Sequence, residues 1–167
     1  MTTLATLALV YGERSATKSA PTYIKSGFQW ISQTKPDDEA QSLALRLLLA
    51  THLKRPRQEL VPWIKLIEER QNTGGGWSQI PNEGSDAWAT GQALYALAHS
   101  GVAATNATVA RGQSFLVRTQ STDGSWPMKS RPTKPGASGA KNLMPITGAG
   151  SAWAVMGLVT SKPADGN

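Results

Sequence analysis

The side chains that can move protons lie at the two ends of apolar helical segments. Acidic residues precede two such segments, as Asp37-Asp38-Glu39 and as Asp86, and His52 and His99 stand at their ends. The separation from Glu39 to Asp86 equals the separation from His52 to His99. Equal spacing indicates equivalent helices, with acids where the helix dipole favours negative charge and imidazoles where it favours positive charge. Asp86 is the single acid that we consider as a catalytic candidate.

A second chemistry is suggested by a basic, proline-containing loop over residues 127–147. Lys129, Arg131 and Lys134 are its candidate anion-binding residues, and no acidic residue occurs between Asp123 and Asp165. Long loops in compact domains are often functional or mobile. Such a loop could bind a diphosphate, an anionic glycan or an anionic lipid, or it could simply be solvated.

Several kinds of site are excluded by composition. The 167 residues contain no cysteine, so neither a disulfide nor a thiolate zinc site can form, and we expect no metal and no cofactor. The glycines at 74–76 are not followed by Lys-Ser/Thr and therefore form a turn rather than a phosphate loop. The net charge of +6 favours anionic partners, but no nucleic-acid-binding motif occurs.

Targeting signals are equally sparse. No apolar run reaches about 18 residues, so we expect no transmembrane segment. The opening MTTLATLALVYGE lacks the basic start of a signal peptide and favours a helix instead. These observations leave the cellular compartment open.

Helical periodicity predicts seven helices to hold these residues. They run over Thr2–Tyr11, Pro21–Ser32, Glu39–His52, Gln58–Gln71, Asp86–Ser100, Thr105–Thr119 and Gly148–Val159, and Ser85 is the expected cap of the fifth. The fifth and seventh are rich in small apolar residues, which is typical of buried helices. We therefore assign the third, fifth and seventh helices to an inner layer and the more charged helices to an outer layer, and we interpret the unpaired first helix as the inner half of a further repeat.

An internal repeat links the outer helices to the inner ones. Residues 63–77 read WIKLIEERQNTGGGW, and residues 111–126 read RGQSFLVRTQSTDGSW. The interval from Gln71 to Trp77 equals the interval from Gln120 to Trp126. A repeated helix, turn and tryptophan indicates a repeat architecture of helical hairpins.

The second copy resembles the QW motif of the squalene-hopene and oxidosqualene cyclases. The matching residues are Arg111, Gly112, Phe115, Leu116, Gln120, Gly124 and Trp126, while Gln71 and Trp77 form a partial first copy. The chain is similar to uncharacterised bacterial prenyltransferase/squalene oxidase repeat proteins over about residues 19–160. The resemblance implies an all-α fold of the α/α-toroid type. It also implies a structural role for the motif, in which Gln bonds the next helix and Trp packs on the turn.

The family resemblance also implies how complete this domain is. We interpret residues 1–167 as a single repeat domain that forms a partial ring, the C-terminal portion of a larger toroid, because family toroids close with about twice as many hairpins. The remaining part of the toroid, or a separate protein partner, is then expected at its edge.

Three functions follow as expectations. The first is a repeat module that is not catalytic by itself and binds a partner or an apolar, isoprenoid-like ligand, since the cyclase Asp-x-Asp-Asp acid and the prenyltransferase zinc ligands have no counterpart. The second is part of a terpenoid cyclase whose acid lies outside this chain, with Trp88, Tyr95 and Trp153 lining the cavity. The third is recognition of anionic glycans or lipids through loop 127–147.

Overall fold

The computed structural model describes residue 3 and residues 5–8, 20–34, 39–130 and 141–162. The described residues form helices joined by turns and loops, with no strand. Helix α1 is described at residues 3 and 5–8. The later helices are α2 (Ala20–Gln33), α3 (Ala40–His52), α4 (Arg57–Glu69), α5 (Ala87–His99), α6 (Ala107–Thr119) and α7 (Met144–Thr160). The predicted all-α class is therefore confirmed.

The helices pack in two layers. Helix α5 lies between α3 and α7, so these three form one layer. Helix α4 packs on α3, and α6 packs on both α5 and α7, which places them in a second layer. The core lies between the layers and includes side chains with almost no exposure, among them Leu47, Leu94, Leu97 and Leu116. We call α3, α5 and α7 the inner layer and α2, α4 and α6 the outer helices.

Each outer helix has a buried aliphatic residue near its C-terminal end. The carbonyl oxygen of that residue accepts a hydrogen bond from a later part of the chain. Tryptophan indoles donate in the two sequence repeats, from Trp77 Nε1 to Ile67 O at 2.7 Å and from Trp126 Nε1 to Leu116 O at 2.8 Å. After α2, the Arg46 guanidinium donates to Ile31 O at 2.6 Å instead. The three hairpins thus keep the acceptor position, while the donor after α2 differs in both residue type and position.

Glycines bring α5 and α7 unusually close together. A Cβ at Gly91 would collide with the backbone of Trp153, and a Cβ at Gly157 would lie 2.7 Å from Gly91 O. Since any side chain at these two positions would overlap backbone atoms, the contact requires glycine. This close packing sets the position of Trp153 relative to the side chains of α5.

Some predicted boundaries were wrong at helix starts. Helix α7 begins at Met144 rather than at Gly148, because Pro145 fits a first turn, where its missing N–H is not needed. Asp86, and not Ser85, caps α5, and helix α5 begins at Ala87. Helix α6 begins after Asn106, whose side chain accepts from the N–H groups of Thr108 and Val109.

Candidate functional site

The aromatic residues predicted to line a cavity lie together on the inner layer. The rings of Trp88 and Trp153 are 6.4 Å apart, and those of Tyr95 and Trp153 are 5.8 Å apart, both in edge-to-face geometry. All three side chains are partly exposed. Aromatic pairs at these separations attract each other beyond simple burial. We call these residues, with the two histidines described next, the aromatic strip.

The histidines extend the strip onto α3. The ring of His99 lies 4.3 Å from that of Tyr95 and 6.1 Å from that of His52. Their equivalence in the repeat, predicted from equal spacing, thus brings the two imidazoles side by side. Nδ1 of His52 lies 2.9 Å from Leu48 O, which is the expected use of an imidazole at a helix C-terminus. Partial burial first, and the neighbouring His52 second, lower the pKa of His99 from its ordinary value.

Gln92 is a feature of this region that sequence analysis missed. It follows Trp88 by one helical turn and precedes Tyr95 by one turn, so the three share a face of α5. Gln92 is 1% exposed, and neither its amide nitrogen nor its amide oxygen has a hydrogen-bond partner among the described residues. Buried amides are rarely left unpaired, because this is costly. A glutamine within an otherwise small and apolar helix was the signal that could have identified it.

The catalytic candidate Asp86 is not part of the strip. Its Oδ1 accepts from Ala89 N at 2.8 Å, and its Oδ2 accepts from Gln79 Nε2 at 2.8 Å. It caps α5 and lines a cavity of about 470 Å³, which also includes Phe115 and Trp126. Both carboxylate oxygens therefore already have a structural use.

The basic loop is described only in part. Lys129 is exposed and lies at the rim of the same cavity as Asp86. Arg131 and Lys134 lie outside the described residues, as do Asp37 and Asp38. Within the described ranges, no group of three or more His, Asp or Glu side chains is placed to hold a metal ion.

The two turns of the repeat share their internal hydrogen bonds. Gln71 Nε2 donates to Gly75 O at 2.8 Å, and Gln120 Nε2 donates to Gly124 O at 2.9 Å. Gly75 and Gly124 both have a positive φ, 88° and 83°. In both copies, therefore, Gln bonds to a glycine carbonyl of its own turn. The predicted bond from Gln to the next helix is made by Gln71, and Gln120 makes no such bond among the described residues. We call residues 71–77 the first turn and residues 120–126 the second turn.

Among the described residues, the first turn also bonds to the outer helix that follows it, whereas the second turn makes no such bond. Gln71 Nε2 also donates to Thr108 O at 2.7 Å, and its Oε1 accepts from Arg111. Gly112, the motif's second residue, lies against the Trp77 ring, where a Cβ would approach to 2.7 Å. Gln120, by contrast, is exposed and bonds only to its own turn among the described residues.

No protein-family model matches the chain, and no curated protein matches its sequence. Among the described helices, none combines the length and apolar character needed to cross a bilayer.

Proposed function

We propose that this chain is a cyclase-like helical repeat domain of the α/α-toroid type that binds an apolar, isoprenoid-like ligand or a partner on its aromatic strip. The toroid interpretation is supported by the two-layer packing and by the two turns with matching hydrogen bonds. It is also supported by the resemblance of Arg111 to Trp126 to the QW motif. In such an arrangement the inner layer faces the centre of the ring.

The observation that carries the ligand proposal is the gathering of Trp88, Tyr95 and Trp153 at 5.8–6.4 Å between paired rings. Partly exposed aromatic surfaces with few polar groups are the usual lining of apolar ligand sites. The nearby buried amide of Gln92 offers a donor and an acceptor. We therefore favour a ligand with a long apolar body and one small polar group, such as an isoprenoid alcohol.

We propose that the domain is not catalytic by itself. A cyclase needs a protonated acid aimed at a double bond, whereas Asp86 caps a helix through one oxygen and accepts from Gln79 through the other. Formation of a cyclised product from squalene by the isolated chain would refute this part of the proposal.

Farnesol is the probe for the ligand site, measured by isothermal titration calorimetry below its solubility limit. Trp153→Ala and Trp88→Ala should each weaken binding about tenfold or more, the effect of losing a buried aromatic contact. Trp30→Ala is the matched control, since this exposed tryptophan lies on α2 outside the strip. Equal affinity in all four proteins, or no binding to any of them, would rule out the strip as the site.

The role of Gln92 has its own test. Farnesol methyl ether keeps the apolar chain but cannot donate a hydrogen bond. Wild-type protein should prefer the alcohol, and Gln92→Leu should remove that preference while retaining affinity for the ether. A preference that survives the substitution would mean that the polar group of the ligand binds elsewhere.

The second candidate function is part of a terpenoid cyclase. The same edge-to-face rings favour it, because aromatic faces stabilise carbocations. In a longer protein that supplies the acid, replacing Trp88, Tyr95 or Trp153 by alanine should change the products formed. Unchanged products would eliminate this candidate.

A further inference from the structure

Helix α6 covers the first turn with one of its faces, and helix α2 exposes the equivalent face to solvent. In α6 the covering residues are Thr108, Arg111, Phe115 and Arg118: Gln71 bonds to the first two, the Phe115 ring packs on Gly76, and Arg118 Nη2 donates to Gly74 O at 2.9 Å. Their spacing places them on one side of the helix. They bury Gly75 and Gly76.

The register between α2 and α6 is fixed by sequence and by packing. Gly-x-x-aromatic-aliphatic occurs at Gly27, Trp30 and Ile31 and again at Gly112, Phe115 and Leu116. Ile31 and Leu116 are both buried. Gly27 abuts Thr6 of α1, just as Gly112 abuts Leu94 of α5, so each glycine faces the preceding helix. The two outer helices therefore sit equivalently in their hairpins.

In this register the covering positions of α2 are Tyr23, Ser26, Trp30 and Gln33. All four are exposed, Tyr23 to 63% and Trp30 to 52%. Two large aromatic side chains on the solvent side of a short amphipathic helix are unusual for a purely solvated surface. This face of α2 matches one half of the interface that α6 makes with the first turn.

The second turn presents the other half. Gln120, Thr122, Asp123 and Gly124 are exposed, in contrast to the buried Gly75 and Gly76 of the first turn. Beside the second turn, Val117 of α6 is 67% exposed. The equivalent residue of α4 is Glu68, which accepts a hydrogen bond from Asn106. Val155 and Val159 of α7 are also exposed. One edge of the molecule thus offers an uncovered turn flanked by apolar side chains.

We propose that copies of this chain associate head to tail, with α2 of one copy covering the second turn of the next. The backbone carbonyl oxygen of Tyr23 would accept a hydrogen bond from Gln120 Nε2, as that of Thr108 does from Gln71. The Ser26 hydroxyl would donate to Gln120 Oε1, as Arg111 does to Gln71 Oε1. Trp30 would occupy the position of Phe115, somewhat further out, because Ser125 replaces Gly76. This proposal is independent of the ligand proposal, although it would place the aromatic strips of successive copies side by side.

A head-to-tail contact uses two different surfaces, so each copy can bind two neighbours and copies form rings or open chains. That property gives a decisive experiment. Trp30→Glu blocks the α2 surface, and Val117→Glu blocks the surface beside the second turn. Each variant retains the surface that the other lacks.

Sedimentation velocity over a range of concentrations measures the association. Wild type should form species larger than the monomer, and each blocked variant should associate at least about tenfold more weakly, as expected for a buried charge at an interface. An equimolar mixture of the two variants should form a dimer and nothing larger. Val61→Glu, at a similarly exposed valine on α4, should behave as wild type.

A wild-type protein that stays monomeric would overturn the proposal. So would a mixture in which the blocked variants fail to pair, since that result indicates a symmetric interface. Circular dichroism would confirm that each variant is folded. Tyr23→Glu and Val155→Glu are a second pair at the same two surfaces, to be used if either of the first two unfolds.

Discussion

The two turns have nearly the same internal structure but different surroundings. In each, a Gln side chain bonds to a glycine carbonyl within the turn, that glycine has positive φ, and the Trp indole donates to the preceding outer helix. The first turn is covered by α6, whereas the second is exposed. The comparison separates what the motif does within its own hairpin from what it does between hairpins.

The largest expected effect comes from the tryptophans, which the two turns share. Trp77 is 1% exposed and Trp126 is 3% exposed, and both donate a buried hydrogen bond. Replacing either by alanine should lower the free energy of unfolding by about 3–5 kcal/mol. Urea denaturation should show the larger loss for Trp77→Ala, because its ring also packs against Gly112 of α6.

A small loss at either tryptophan would contradict the packing role. Trp30→Ala is the control, because that side chain is exposed on the monomer. It should change the free energy of unfolding by less than about 1 kcal/mol.

Substitutions of the glycines should distinguish the two turns more clearly than substitutions of the tryptophans. Gly124→Ala should cost about 1–2 kcal/mol, the penalty for a left-handed residue with a side chain. Gly75→Ala should cost about 1–3 kcal/mol more, because its Cβ would lie 2.7 Å from Arg111 O. The measurement is again urea denaturation, under conditions where the protein is monomeric. Equal losses would mean that α6 does not constrain the first turn.

The glutamines test the same contrast through hydrogen bonds. Gln71→Ala removes bonds to Gly75 O, Thr108 O and Arg111, and it should destabilise the monomer by about 2 kcal/mol. Gln120→Ala removes one exposed bond and should cost about 0.5 kcal/mol. If copies associate head to tail, Gln120→Ala should instead weaken association. A loss of monomer stability equal to that of Gln71→Ala would show that the second turn has contacts similar to those of the first.

The internal structure of the two turns could be predicted from the sequence, but their contacts with neighbouring helices could not. Periodicity and the Gln-to-Trp interval located both turns, because a repeated local structure requires the same residues each time. The neighbours of the turns could not be read in this way. Arg46 replaces a tryptophan as the donor to Ile31 O from 15 residues along the chain, and no local pattern indicates such a substitution.

In the candidate site, too, some residues could be placed from the sequence, whereas contacts between helices could not. Equal spacing predicted that His52 and His99 are equivalent, and their rings lie 6.1 Å apart. The similar sequences around Trp88 and Trp153 did not indicate equivalent helix starts, because Trp88 lies at the start of α5 and Trp153 lies in the middle of α7. The exposure of Gln120 and the unpaired amide of Gln92 depend on packing between helices, which residue types alone do not specify. The register between α2 and α6 also depends on packing, because it requires that Gly27 and Gly112 face equivalent helices.

The smallest expected effect concerns a carboxylate that only the second turn has. Asp123 occupies the position of Gly74, and its Oδ1 accepts from the backbone N–H of Ser125 at 2.9 Å and from the Ser125 hydroxyl at 2.7 Å. The backbone bond first, and the hydroxyl bond second, lower the pKa of Asp123 below its ordinary value of 3.8. The turn is therefore favoured while this carboxylate is ionised.

The sign of the pH dependence follows from that shift. Above pH 3.8 the side chain is ionised in both folded and unfolded chains, and its contribution is fully present. As the pH falls through the lower pKa of the folded state, the contribution is lost. An NMR titration of the Asp123 carboxyl carbon should give a midpoint below 3.8, and Ser125→Ala should move it upward by removing the hydroxyl bond alone. A midpoint at the ordinary value would show that the second turn is frayed in solution, and the uncovered second turn would then lack the internal structure that makes it comparable with the first.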